Sequence, residues 1–161
     1  MKTLNQITKI LIAIEDSQYS ERAAGYGFDL AEKLHASVAL LHVNEVPVGT
    51  SYIADPMLNE SQVVLPDLIQ LQDESSKKLL DRISEVYAGR VPTYTYTKLG
   101  NPRDEILATA EEWGADMIIL GTHGRTGFDH FISGSVSEKV VRKAKCPVLI
   151  IPNKEFQEEQ A

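Results

Sequence analysis

The chain has 161 residues, 43% hydrophobic and 24% charged, enough for one compact core of ordinary soluble composition. Its formal net charge of -7 speaks against nucleic acid as a ligand, because phosphate backbones reward dense positive patches. No apolar run approaches the roughly 20 residues that cross a bilayer, and a lone cysteine, Cys146, leaves no internal disulfide, as suits a reducing cytoplasm.

The first residues, MKTLNQITK, lead into KILIAI instead of a signal-peptide core, so residues 1–8 read as a tail. Ile10 to Ile14 is nearly continuous apolar sequence, as expected of a strand buried on both faces of a parallel sheet. Ala24, Gly27, Phe28, Ala31 and Leu34 then recur at helical spacing, with Ser17 or Ser20 available as N-cap. Val38 to Val43 is a second buried strand. Residues 45–66 show no period, and their Pro, Gly, Ser and Asn predict a long surface excursion, a kind of insertion that commonly carries function.

Leu68, Leu71, Leu79, Ile83, Val86 and Tyr87 make a second helical stripe, ended by Gly89. The segment VPTYTYT (91–97) alternates, and Pro92 near its start predicts an edge strand. In NPRDEILATAEEWG, Asn101 caps a helix, Pro102 suits its first position and Gly114 ends it. Met117 to Leu120 is a further buried strand. A last helix starts at or near Ser135, with Val136, Val140, Val141 and Ala144 on one face. It leads to the strand Val148 to Ile151, which Pro147 and Pro152 bracket as an edge. Residues 153–161 read as a frayed tail.

Strand and helix alternate throughout, which predicts a single α/β domain: a Rossmann-like, doubly wound parallel sheet with helices on both faces. Such sheets bind ligands beyond the carboxyl ends of their strands, where strand order reverses. At that end of the MIIL strand lies GTHGRTGFDHFISGSVSEK (121–139). Glycines let main chain approach an anion closely, and a helix N-terminus adds unpaired N–H groups and partial positive charge. Arg125 either adds charge for a phosphate or is a solvated loop residue. No G-x-x-x-x-G-K-[ST] sequence and no G-x-G-x-x-G after a strand occurs. On these residues alone, a phosphate cradle and a plain strand-to-helix connection stand as equal readings.

The spacing Gly121-x2-Gly124-x9-Gly134-Ser135 resembles the G-2x-G-9x-G-[ST] signature of ATP-binding members of the universal stress protein family. KILIAIEDSQYS resembles that family's first strand and turn, LLHV its second strand, LGNPRDEIL its third loop and helix, and VRKAKCPVLIIP its ending. The resemblance implies five strands in the order 3-2-1-4-5, a cytoplasmic stress or regulatory role, and a homodimer paired through the last strand. It also implies a bound ATP, with AMP and ADP as alternatives, and Mg²⁺ brought by the phosphates. Gly121, Gly124, Gly134, Ser135 and Val136 would hold those phosphates, with Arg125 beside them. The main chain of Val43 would read the base edge, Glu15 would take the ribose hydroxyls unless Asp16 takes over or the ribose sits differently, Ala13 would belong to the same site, and Gly100 would border the pocket. The family usually has aspartate where this chain has Glu15, a carboxylate one methylene longer.

His35, His42, His123 and His130 match no compact metal motif and read as structural, although His123 lies in the loop and could touch a phosphate. Cys146 reads as a small buried hydrophobe. No catalytic triad or acid pair can be placed, so enzymatic action reduces to slow ATP hydrolysis or nucleotidyl transfer using Glu15, Asp16 or His123. A structural adaptor with an empty loop, acting through its dimer surface, is the third reading.

Overall fold

Runs of β-branched residues extend the chain, and the amphipathic stretches between them coil. The resulting order is β1 (Lys9–Ala13), α1 (Ser20–Leu34), β2 (Ser37–Asn44), α2 (Leu65–Val86), β3 (Thr93–Leu99), α3 (Pro102–Trp113), β4 (Met117–Gly121), α4 (Val136–Lys143) and β5 (Val148–Ile151). The computed structural model describes residues 6–15, 20–46, 65–121 and 136–152. The expectations placed on residues 47–64, on the carboxyl-terminal tail and on residues 1–5 lie outside the described residues.

The strands form one parallel sheet in the order β3-β2-β1-β4-β5. Ile12 pairs with Leu40 on one side and Ile119 on the other, so β1 is the central strand. Its side chains alternate between two apolar layers, as strand geometry requires. Ile10, Ile12 and Ile14 join Val38, Leu40, Phe28 and Leu80 beneath α1 and α2. Leu11 joins Ala39, Leu41, Ile118, Ile106 and Val140 beneath α3 and α4. With a helix layer on either face, both sides of the inner strands leave water, which is why β1, β2 and β4 are largely apolar.

Helix α1 sits close on the sheet because Gly27 has no side chain. A Cβ there would stand 2.2 Å from Ile12 Cδ1. The Phe28 ring stacks on Tyr87 with centroids 4.2 Å apart, joining α1 to the end of α2. Asn101 caps α3 by accepting from the Asp104 N–H, and Gly114 closes it in the left-handed conformation at φ 73.

Two expected faces are corrected. In α2, Leu71 and Val86 are 62% and 70% exposed and Leu68 is also exposed, whereas Ser76, Leu80 and Ile83 are buried. The row meeting the sheet is 76-80-83-87, and the other leucines fall off it by one or two residues, about 100° each. In α4, Val141 is 50% exposed while Val140 is buried between the half-buried Val136 and Ala144.

The first tail is shorter than expected. Ile7 packs against the core, and Asp116 Oδ2 accepts from Thr8 N at 2.9 Å, Thr8 Oγ1 at 2.9 Å and Lys9 N at 3.1 Å. Partial burial pushes the Asp116 carboxyl up, but these three hydrogen bonds and the Lys9 charge outweigh it and hold the pKa below the ordinary range. The carboxylate therefore stabilises the fold fully above the unfolded-state pKa of about 3.9, and that contribution disappears as pH falls through the lower folded value. Asp116→Ala is expected to cost about 1–3 kcal/mol in urea unfolding at pH 7 and distinctly less at pH 3. A cost equal at both pH values would contradict this role.

Candidate functional site

The strand order reverses between β1 and β4. They lie side by side, yet α1 follows β1 onto one face and α4 follows β4 onto the other. Their carboxyl ends therefore diverge, and a parallel sheet of this kind opens a crevice there.

One wall is the exit of β1. Ile14 continues the ladder by donating its N–H to Leu41 O at 2.7 Å. His42 Nδ1 lies 2.8 Å from Ile14 O. Glu15 N donates to Ser20 Oγ at 2.9 Å, and the same hydroxyl donates back to Glu15 O. Ala13 is half-buried at the end of β1, and the Glu15 side chain is exposed at the mouth.

The opposite wall is the exit of β4. Gly121 O accepts from Ser137 Oγ at 3.1 Å, tying the strand to the first turn of α4, where Val136 also lies. Among the described residues nothing stands within 4 Å of where a Gly121 Cβ would be. Val43 lies one strand over, near the end of β2, and packs into the α3–α4 layer.

Gly100 links the ends of β2 and β3, donating its N–H to Asn44 O at 2.9 Å. Its φ of 153 disfavours other residues, and a Cβ would meet Glu105 Oε1 at 2.9 Å and Cγ at 3.2 Å. The structure thus brings Ala13, Glu15, Gly121 and Val136 around the divergence, with Val43 beside it and Gly100 two strands away. Asp16, Gly124, Arg125, Gly134 and Ser135 lie outside the described residues, as do His123 and His130.

Sequence reasoning missed a polar cluster behind this mouth. Ser76 Oγ lies 2.8 Å from Asn44 Oδ1 and 2.7 Å from Gln72 O, and Thr97 Oγ1 donates to Asp73 Oδ1 at 2.7 Å. The polar Asn44 ending an apolar strand was its one visible signal. A separate cleft of about 160 Å³ lies between β3 and α3, lined by Tyr96, Lys98, Thr109, Glu112 and Trp113, and contains none of the expected site residues.

Among the described residues no group of three His, Cys, Asp or Glu could hold a metal ion. His35 makes the turn after α1 at φ 54. Cys146 is half-buried against the α3–α4 layer, and burial, with Asp116 nearby, pushes its thiol up and away from the reactive thiolate. Gly100→Ala is expected to cost about 1–3 kcal/mol in chemical unfolding. Adding Glu105→Ala should relieve only the steric part, because the backbone strain stays. Full recovery in the double variant would contradict that division.

The chain matches the universal stress protein family over residues 6–152. Universal stress protein MJ0531 of Methanocaldococcus jannaschii is 30% identical over 153 residues, spanning 94% of this chain and 86% of its own. Among solved structures, hypothetical protein MJ0577 superposes with a TM-score of 0.74 at 25% identity, covering 94% of this chain and 99% of its own. The universal stress protein from Archaeoglobus fulgidus, solved in complex with dAMP, superposes with a TM-score of 0.59 at 21% identity, covering 91% and 99%. This last likeness is one of fold.

Proposed function

The chain belongs to the universal stress protein family, and on that premise we propose that it is a regulatory switch that binds an adenine nucleotide, with ATP as the principal ligand and AMP and ADP as alternatives. One observation carries the reading. β1 and β4 part at their carboxyl ends with Glu15 on one side, and on the other a Gly121 with no described residue within 4 Å of where its side chain would begin. From Gly121 the chain runs into the spacing Gly124-x9-Gly134-Ser135.

In this reading the main chain of Gly121, Gly124, Gly134, Ser135 and Val136 holds the phosphates, with the Ser135 hydroxyl and the Arg125 charge beside them. Glu15, with Asp16 next to it, accepts from the ribose hydroxyls, and Ala13 lines the sugar side. Val43 offers main-chain groups to the base edge, and Gly100 borders the pocket. Mg²⁺ arrives on the triphosphate, which needs no dedicated protein cage. The adenine nucleotide carried by the Archaeoglobus fulgidus relative supports the choice of base. The switch acts only as far as the nucleotide prefers one form of the domain over another.

Calorimetry is expected to show ATP binding by the native chain and at least a roughly tenfold loss, about 1.4 kcal/mol, in Gly124→Val/Gly134→Val. Equal binding by the two proteins, or none by either, overturns the reading.

The same family premise supports a homodimer through β5, whose outer edge has no neighbouring strand among the described residues. Sedimentation equilibrium at micromolar concentration is expected to give twice the 17.9 kDa chain mass. A species of 17.9 kDa alone would contradict it.

A further inference from the structure

The turn leaving β1 is held more completely than its place in the chain requires. It lies past the last residue of β1, Ala13, where a connecting loop would ordinarily give its polar groups to water. Instead all four main-chain groups of Ile14 and Glu15 have protein partners. Leu41 O takes the first N–H, His42 meets the first carbonyl, and Ser20 Oγ both accepts from the second N–H and donates to the second carbonyl. Three of these four bonds are made by two side chains, His42 and Ser20. They come from different elements, β2 and α1, and so grip the turn from two sides.

The chemistry of each grip is determined. A carbonyl oxygen only accepts, so His42 Nδ1 must carry the proton it gives to Ile14 O. Ser20 is buried at the start of α1, and its one hydrogen is spent on Glu15 O.

Burial of Ile14, which is 2% exposed, requires that its main-chain groups be paired, but not that side chains of two other elements do the pairing. What the clamp fixes is the main chain from which the exposed Glu15 side chain departs. Glutamate has one more rotatable bond than aspartate, so an aimed Glu carboxylate depends more on a fixed backbone.

We propose that His42 and Ser20 are positioning residues, which together aim the Glu15 carboxylate and thereby set recognition of the ribose hydroxyls. This assignment rests on the nucleotide reading above. It adds that the selectivity of the sugar subsite is written in the second strand and first helix, in residues that do not themselves touch the ligand.

The test compares binding of ATP and of 2′,3′-dideoxy-ATP, which lacks both hydroxyls, in the native chain and in His42→Leu, His42→Asn and Ser20→Ala. The native chain is expected to favour ATP about tenfold. His42→Leu removes the donor and is expected to bring the ratio to within about twofold of one. It does so chiefly by weakening ATP, because the phosphate contacts are shared by both ligands. Asn presents an amide N–H near the place of Nδ1 and should restore most of the preference. Ser20→Ala attacks the opposite grip and should lower the ratio as well, so the test stands even if His42→Leu does not fold.

A merely structural role for these residues would weaken both ligands alike and leave the ratio unchanged, which overturns the positioning role alone. A native chain that binds ATP and dideoxy-ATP equally overturns it too. A native chain that binds neither overturns the nucleotide reading and the assignment with it.

Discussion

A sheet buried on both faces cannot send all its connections to one side. Once β1 delivers α1 to one layer and β4 delivers α4 to the other, the adjoining strand ends must separate. A parallel sheet opens a crevice at such a point. To that gap the chain brings the Glu15 carboxylate on one side and, on the other, Gly121, with no described residue within 4 Å of where its Cβ would be. The position of the candidate site is thus a consequence of how the hydrophobic core is layered, and the chemistry there is superimposed on it.

The layering was legible because it depends on local pattern. Ile10 to Ile14, Val38 to Val43, Met117 to Leu120 and Val148 to Ile151 are each apolar beyond what an exposed strand tolerates, and each strand lies within a residue or two of its expected place. Alternation in VPTYTYT correctly marked β3 as an edge, and Asn101, Pro102 and Gly114 marked the ends of α3. The faces of α2 and α4 were less legible. Leu71 and Val86 belong to a helical row as regular as the true one, and only the position of the sheet decides between rows. Such residues are apolar without being core, as many surface side chains are.

Contacts between distant parts of the chain were not legible at all. Asp116 and Thr8 are 108 residues apart, and His42 and Ile14 are 28 apart. Neither pair can be named before strand register is known. His42 read as structural because it sits in an apolar strand, and register shows what structure it serves: the backbone of the turn that bears Glu15. The Ser76–Asn44 pair behind the mouth has the same character. Glu15 at the exit of the first strand was visible in the sequence at once, whereas the clamp that bears on it emerges only from the paired strands.

The central claim is that the diverging ends of β1 and β4 receive an adenine nucleotide. The most direct measurement is a titration of the isotopically labelled protein with ATP, followed amide by amide in solution. The account predicts that the largest shifts fall at Ile14, Glu15, Val43, Gly100, Gly121 and Val136, at the carboxyl edge of the sheet. Shifts confined to the amino edge around Thr8 and Asp116, or to the cleft between β3 and α3, would contradict it.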